Sequence, residues 1–149
     1  AQLNIAAFGR TCFYSPRVSY SPIVEYLTNV GDTQPLSIKQ GYAKCSALIV
    51  DERSIISQDR GLTRAAAAAG LDVLQISPGH VALDGFEYGF LGGAGFKISC
   101  DKLCFTGVLD IHPDKGRILN FLSARGIRPQ YLTDRPVFDI GSAIPLTEK

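Results

Sequence analysis

No methionine occurs anywhere in the 149 residues, there are only two histidines, and no cluster of lysine or arginine stands out. The formal charge is +1, so the chain offers no electrostatic footprint for nucleic acid or an anionic membrane surface. No apolar run approaches the roughly 20 residues of a membrane span, and no signal-peptide pattern opens the chain. The opening "AQLNIAAFG" enters a β-like run directly, and translation cannot begin there; a removed N-terminal portion larger than a signal peptide is expected to precede it. Three of the four cysteines lie inside apolar runs, "TCFY", "KCSALIV" and "LCFTG". That placement suits reduced thiols in a cytoplasmic protein rather than a disulfide scaffold. Cys100 and Cys104 have no second pair or nearby histidine to complete a zinc tetrahedron. The glycines of "YGFLGGAGF" fit neither a dinucleotide loop nor a P-loop. No metal and no cofactor are expected.

What is present is an α/β pattern. With 46% hydrophobic residues, the chain is long enough for one ordinary core. Three stretches share the order strand, strand, helix, strand, over about residues 2–40, 41–77 and 90–133. The strands are short runs of Ile, Val, Leu, Phe and Tyr bounded by turn residues. Apolar residues recur at helical spacing at Ile23, Tyr26, Leu27 and Val30, at Leu62, Ala65, Ala66 and Ala69, and at Ile118, Phe121 and Leu122. Pro22 and Pro113 sit near helix starts, and Gly31, Gly70 and Gly126 follow helix ends as C-terminal caps. Asp59 is placed to cap the second helix. "FDIGSAIPL" reads as a closing strand over 137–146 with no helix after it. The whole, 1–149, is expected to be a single partial domain.

A run of strand-strand-helix-strand modules resembles the pentein fold, an α/β propeller of five such modules. Arginine deiminases, dimethylarginine hydrolases, agmatine deiminases and amidinotransferases share that fold. More closely, "KQGYAKCSALIVDERSIISQDRG" (39–61) and "PGHVALDGFEYGFLGGAG" (78–95) resemble a bacterial family of this guanidine-modifying fold that has no assigned activity. The resemblance implies about three of the five modules, from the C-terminal portion. Catalytic members use a Cys thiolate that attacks a guanidinium carbon, a His acid/base, and carboxylates that grip the guanidinium nitrogens. Their Cys commonly follows a Gly-rich lead-in ending in His-Cys. In "GYAKC", Lys44 stands in the histidine's place; in "GGAGFKIS", Lys97 or a neighbour stands in the cysteine's.

On this pattern Cys45 is the candidate nucleophile, helped if Lys44 lies near enough to lower its pKa. The alternative is a small apolar core residue, since neighbours on a strand point to opposite faces. Cys12 and Cys104, mid-strand beside Phe, read as core. His80, in the "PGHVALDGF" loop, is the candidate acid/base. His112, before Pro113, has a capping or solvent role. Asp139, Asp84 and Glu87 are candidate carboxylates for a cationic ligand, or else turn and cap residues. Gly92 and Gly93 would allow close approach to a planar ligand, with Lys44 beside it. The protein is thus expected to bind or modify a small guanidino or amidino compound. The alternative is a non-catalytic small-molecule-binding or protein-interaction module of the same fold. Unpaired sheet edges in a partial ring lead to an expected homodimer.

Overall fold

Short runs, several of them rich in β-branched and aromatic residues, form nine strands across residues 2–143, the part of the chain that the computed structural model describes. The first sheet holds β1 (Ala6–Phe8), β2 (Thr11–Tyr14) and β3 (Gln34–Ser37). The second holds β4 (Leu48–Ile49), β5 (Ser54–Ser57) and β6 (Asp72–Gln75). The third holds β7 (Gly95–Ser99), β8 (Lys102–Phe105) and β9 (Arg128–Tyr131). In each, the first strand runs antiparallel to the second and the third runs parallel to it. A parallel return needs a crossover. The helices α1 (Ser21–Asn29), α3 (Arg60–Ala68) and α5 (Lys115–Ser123) supply it, while two single turns, α2 (Ala43–Ser46) and α4 (Leu91–Ala94), lead into β4 and β7.

Local signals account for most boundaries. Pro22 occupies the first turn of α1, and Asp59 caps α3 by accepting the Leu62 N–H at 2.7 Å. Gly70 and Gly126 take positive φ after α3 and α5, as a left-handed cap requires. After α1 that role falls to Asp32 (φ 49°) rather than Gly31. Asp114, not His112, is the N-cap residue of α5.

The apolar residues separate into two clusters. Ala6, Phe13, Ile55, Leu62 and Ala66 join the first and second sheets, with the flat alanine face of α3 between them. Leu48, Ile56, Leu103, Phe105, Ile118 and Leu122 join the second and third, together with Val81, Leu91 and Val137. The helices α3 and α5 therefore each pack between their own sheet and the preceding one. Among the described residues no other sheet precedes the one α1 belongs to, and the helix has no fully buried residue: Tyr26 is 60% exposed, and Val30 at its C-cap 66%. Along its apolar stripe Ile23 and Leu27 are half-buried, while Tyr26 and Val30 are exposed.

Arg125 ties the second and third sheets at their rim. Its guanidinium donates to Ser54 Oγ at 2.6 Å, to Phe121 O at 3.0 Å and to Asp72 at 3.1 Å, and lies 3.6 Å over the Phe121 ring. Residues 135–141 form no regular strand among the described residues. They run between the 76–90 loop and the segment after β8, held by isolated parallel bridges Ala82–Phe138 and Val108–Pro136. Residues 144–146 of the expected closing strand lie outside the described residues. Among the described residues no helix is long and apolar enough to cross a membrane.

Burial predicts unequal sensitivity on the two helices. Leu122→Ala, at a fully buried position of α5, is expected to cost about 2–5 kcal/mol in urea unfolding, while Val30→Ala, at the C-cap of α1, should change stability by less than about 0.5 kcal/mol.

Candidate functional site

The stretch "GYAKCSA" does not enter the sheet as an extended strand. Tyr42 and Ala43 carbonyls accept the N–H groups of Ser46 and Ala47, closing one helical turn that carries Lys44 and Cys45. A turn leaves orphan N–H groups at its start, and Asn4 meets one of them from across the chain. Its Oδ1 accepts the Lys44 N–H at 2.7 Å, and its Nδ2 donates to Cys45 Sγ at 3.4 Å. The thiol in turn donates to Gly141 O at 2.8 Å. Ser57 Oγ donates to Ser46 O at 2.6 Å, fixing the turn's end to the second sheet.

Turn α4 packs against α2 with no room to spare. A Cβ on Gly92 would sit 2.5 Å from Cys45 O and 2.6 Å from Ala47 C, and one on Gly93 would overlap Asp139 Oδ1. The close approach that these glycines allow is to the protein's own backbone and to Asp139, where a planar ligand was expected. Asp139 is 9% exposed. It accepts the Phe90 N–H through Oδ2 at 2.8 Å and the Gly141 N–H through Oδ1 at 2.7 Å, while Ile140 N donates to Gly93 O at 3.0 Å. The structure thus gathers Asn4, Lys44, Cys45, Gly92, Gly93, Asp139 and Gly141 in one place.

The electrostatics follow from burial. Desolvation pushes the Cys45 thiol above its ordinary range; the Asn4 N–H draws it down, the Asp139 carboxylate raises it and the Lys44 ammonium lowers it, with burial winning. Lys44 is pushed down, chiefly by its own desolvation, with Cys45 pulling the other way. Cys12 and Cys104 are buried and also raised by desolvation.

The other candidates lie elsewhere. His80 packs on His112, ring centroids 5.3 Å apart, and makes no hydrogen bond to Cys45. His112 is buried rather than solvated. Its Nδ1 accepts the Asp114 N–H at 3.0 Å, which leaves the proton on Nε2, buried and without a partner. Desolvation pushes His112 down, against Asp114 and together with His80. Burial raises Asp114, but the Ser77 amide (2.6 Å) and Arg117 (2.6 Å) outweigh it and hold the carboxyl at about 2. Asp84 is exposed and shares with Asp139 and Arg135 an open cleft of about 580 Å³. Glu87 is exposed in the same loop. A larger cleft, about 690 Å³, is lined by Gln58, Arg60, Tyr88 and Arg117 and does not include Cys45. Among the described residues no group of three or more His, Cys, Asp or Glu is arranged to hold a metal ion. Asn4 and Gly141 were not singled out in the sequence; a lone amide at the start of a strand was the only sign of the first.

Two outcomes follow. Removing the nearby negative charge with Asp139→Asn should move the midpoint of the pH profile for Cys45 alkylation downward, and Lys44→Gln should move it upward, both read by mass spectrometry. His112 has a folded pKa below its unfolded value of about 6.5, so its contribution to stability is complete above that pH and is lost as pH falls through the folded pKa. His112→Asn should therefore flatten the loss of urea stability between about pH 7 and pH 5.

In fold the chain is similar to an agmatine deiminase from C. jejuni, with a TM-score of 0.58 at 12% identity, over 87% of this chain and 48% of that one. The chain spans about half the length of that solved structure, 48%. The likeness, together with the small mixed sheets, shows an α/β pentein-like fold. A comparison with curated proteins finds no match. The model of a family of unknown function, DUF6873, matches residues 1–144, and the chain belongs to that family.

Proposed function

We propose that the protein binds a small guanidino or amidino compound beside Cys45 and modifies it through that thiol. One juxtaposition carries this reading: a buried thiol and a buried carboxylate, Cys45 and Asp139, electrically coupled where two helical turns meet, in a fold similar to that of an agmatine deiminase. A guanidinium is a planar cation whose N–H groups a carboxylate can grip, and the Asp139 oxygens retain lone pairs beyond the two backbone bonds they accept. Its positive charge next to the thiol favours the thiolate and opposes the effect of burial. Attack by that thiolate on the guanidinium carbon forms a C–S bond. Breaking a C–N bond then releases ammonia or an amine, which takes up a proton. Water finally cleaves the C–S bond and returns the thiol.

The same reading takes the three sheets as modules of a five-membered ring in a cytoplasmic bacterial protein, whose open edges are covered by further modules or by a second copy. The activity of a complete ring is part of the proposal. A second reading, a binding module without catalysis, is favoured by a specific observation: the thiol is held protonated against Gly141 O, and His80 is engaged with His112 instead of Cys45.

The test is iodoacetamide alkylation of each cysteine on the native protein across pH, with and without millimolar agmatine or 4-guanidinobutyrate, alongside an assay for released ammonia or amine. Without ligand, Cys45 should react more slowly than exposed Cys100. With ligand, Cys45 should change while Cys12 and Cys104 do not, and Cys45→Ala should abolish release. A response at Cys45 without release selects the binding module; no response to either compound removes both readings.

A further inference from the structure

An open cleft of about 460 Å³ runs across the first strands of all three sheets. Ala7 and Phe8 contribute from β1, Lys44 and Ile49 from α2 and β4, and Phe96 and Lys97 from β7. Apart from the two lysines its walls are apolar, and among the described residues no carboxylate lines it. Two lysines therefore face a space that supplies no counter-charge. Among the described residues Lys97 Nζ donates to Val50 O at 3.0 Å, and neither lysine is in an ion pair. Lys44 is half-buried, and desolvation already disfavours its charged form. An ammonium partly removed from water without a counter-ion is costly, and an anion entering the cleft relieves that cost at both lysines.

We infer that this cleft takes the carboxylate end of the ligand, so that the guanidino compound is a guanidino acid on a short apolar stem rather than a guanidino amine. The inference rests on the site proposed above: Lys44, which lines this cleft, is the neighbour of Cys45 on one helical turn, so a ligand held at the thiol has the cleft next to it. A carboxylate there meets two positive charges between apolar walls, where low local dielectric strengthens the attraction. An amine in the same place meets two like charges and no acid. Ile49 and Phe96 offer the methylene stem an apolar bed.

Isothermal titration of the native protein with 4-guanidinobutyrate, agmatine and butyrate tests this. The first two differ chiefly in the charge of the tail. 4-Guanidinobutyrate should bind at least about tenfold more tightly than agmatine, a difference of about 1.4 kcal/mol. Lys44→Gln and Lys97→Gln should each reduce that preference, and added salt should shrink it. Lys44→Gln, which leaves the Val50 contact intact, serves alone if Lys97→Gln does not fold. Equal or tighter binding of agmatine, or unchanged 4-guanidinobutyrate affinity in the lysine variants, overturns the inference while leaving the guanidino site standing. Lysine-dependent binding of butyrate with no gain from the guanidino group does the reverse: the anion cleft stands and the guanidino reading falls.

Discussion

The centre of this molecule depends on a missing atom. Without a Cβ at Gly92, turn α4 lies directly on the backbone of Cys45 and Ala47; without one at Gly93, the Asp139 carboxylate tucks beneath the same turn. Any L side chain at either position would have to displace backbone or the carboxylate, so the two turns, the thiol and the acid have one mutual arrangement. Asp139 then works as a hub. Through two backbone amides it orders Phe90 on one side and Gly141 on the other, and Gly141 presents the carbonyl that receives the thiol's proton bond. A structural hydrogen-bond network and the charge that tunes Cys45 are the same few atoms.

Burial is the main reason the thiol is held in its protonated form, and the carboxylate that could attract a cationic ligand adds to it by repelling a thiolate. Burial and the carboxylate act on the sulfur in the same direction. A cation placed between them would change the balance for both groups together, since one positive charge offsets the carboxylate and favours ionisation of the sulfur. Lys44 alone does not achieve this: its ammonium draws the thiol down, but burial and the Asp139 carboxylate outweigh it.

The strands and long helices were legible because their periodicities are strong and their boundaries carry turn residues: Asp59, Gly70 and Gly126 do what their chemistry suggests. The short turns were not. "KCSALIV" has the composition of a strand, and four residues are too few for a helical period to show; "LGGA" has the composition of a loop, yet packing makes it helical. Tertiary context overrode local preference in both. The contacts that define the site join Asn4, Cys45 and Gly141, 41 and 96 residues apart, and no local pattern encodes them. His112 was misplaced for a related reason. Its position before Pro113 marks a helix start correctly, but the loop carrying His80 folds over it and takes it out of water. The half-exposed stripe of α1 shows the limit of amphipathicity: it marks a face able to be buried, not one buried throughout.

Strand β5 has a consequence of its own. Its four residues are buried throughout, with Ile55 turned into one apolar cluster and Ile56 into the other. The three sheets share no backbone ladder, so hydrogen bonding alone would let each melt independently. Yet loosening either cluster strips one face of the same strand and withdraws support from the opposite face. Two cores with a common wall have no separate melting points, and cooperative unfolding of the chain is built into the alternation of two adjacent isoleucines.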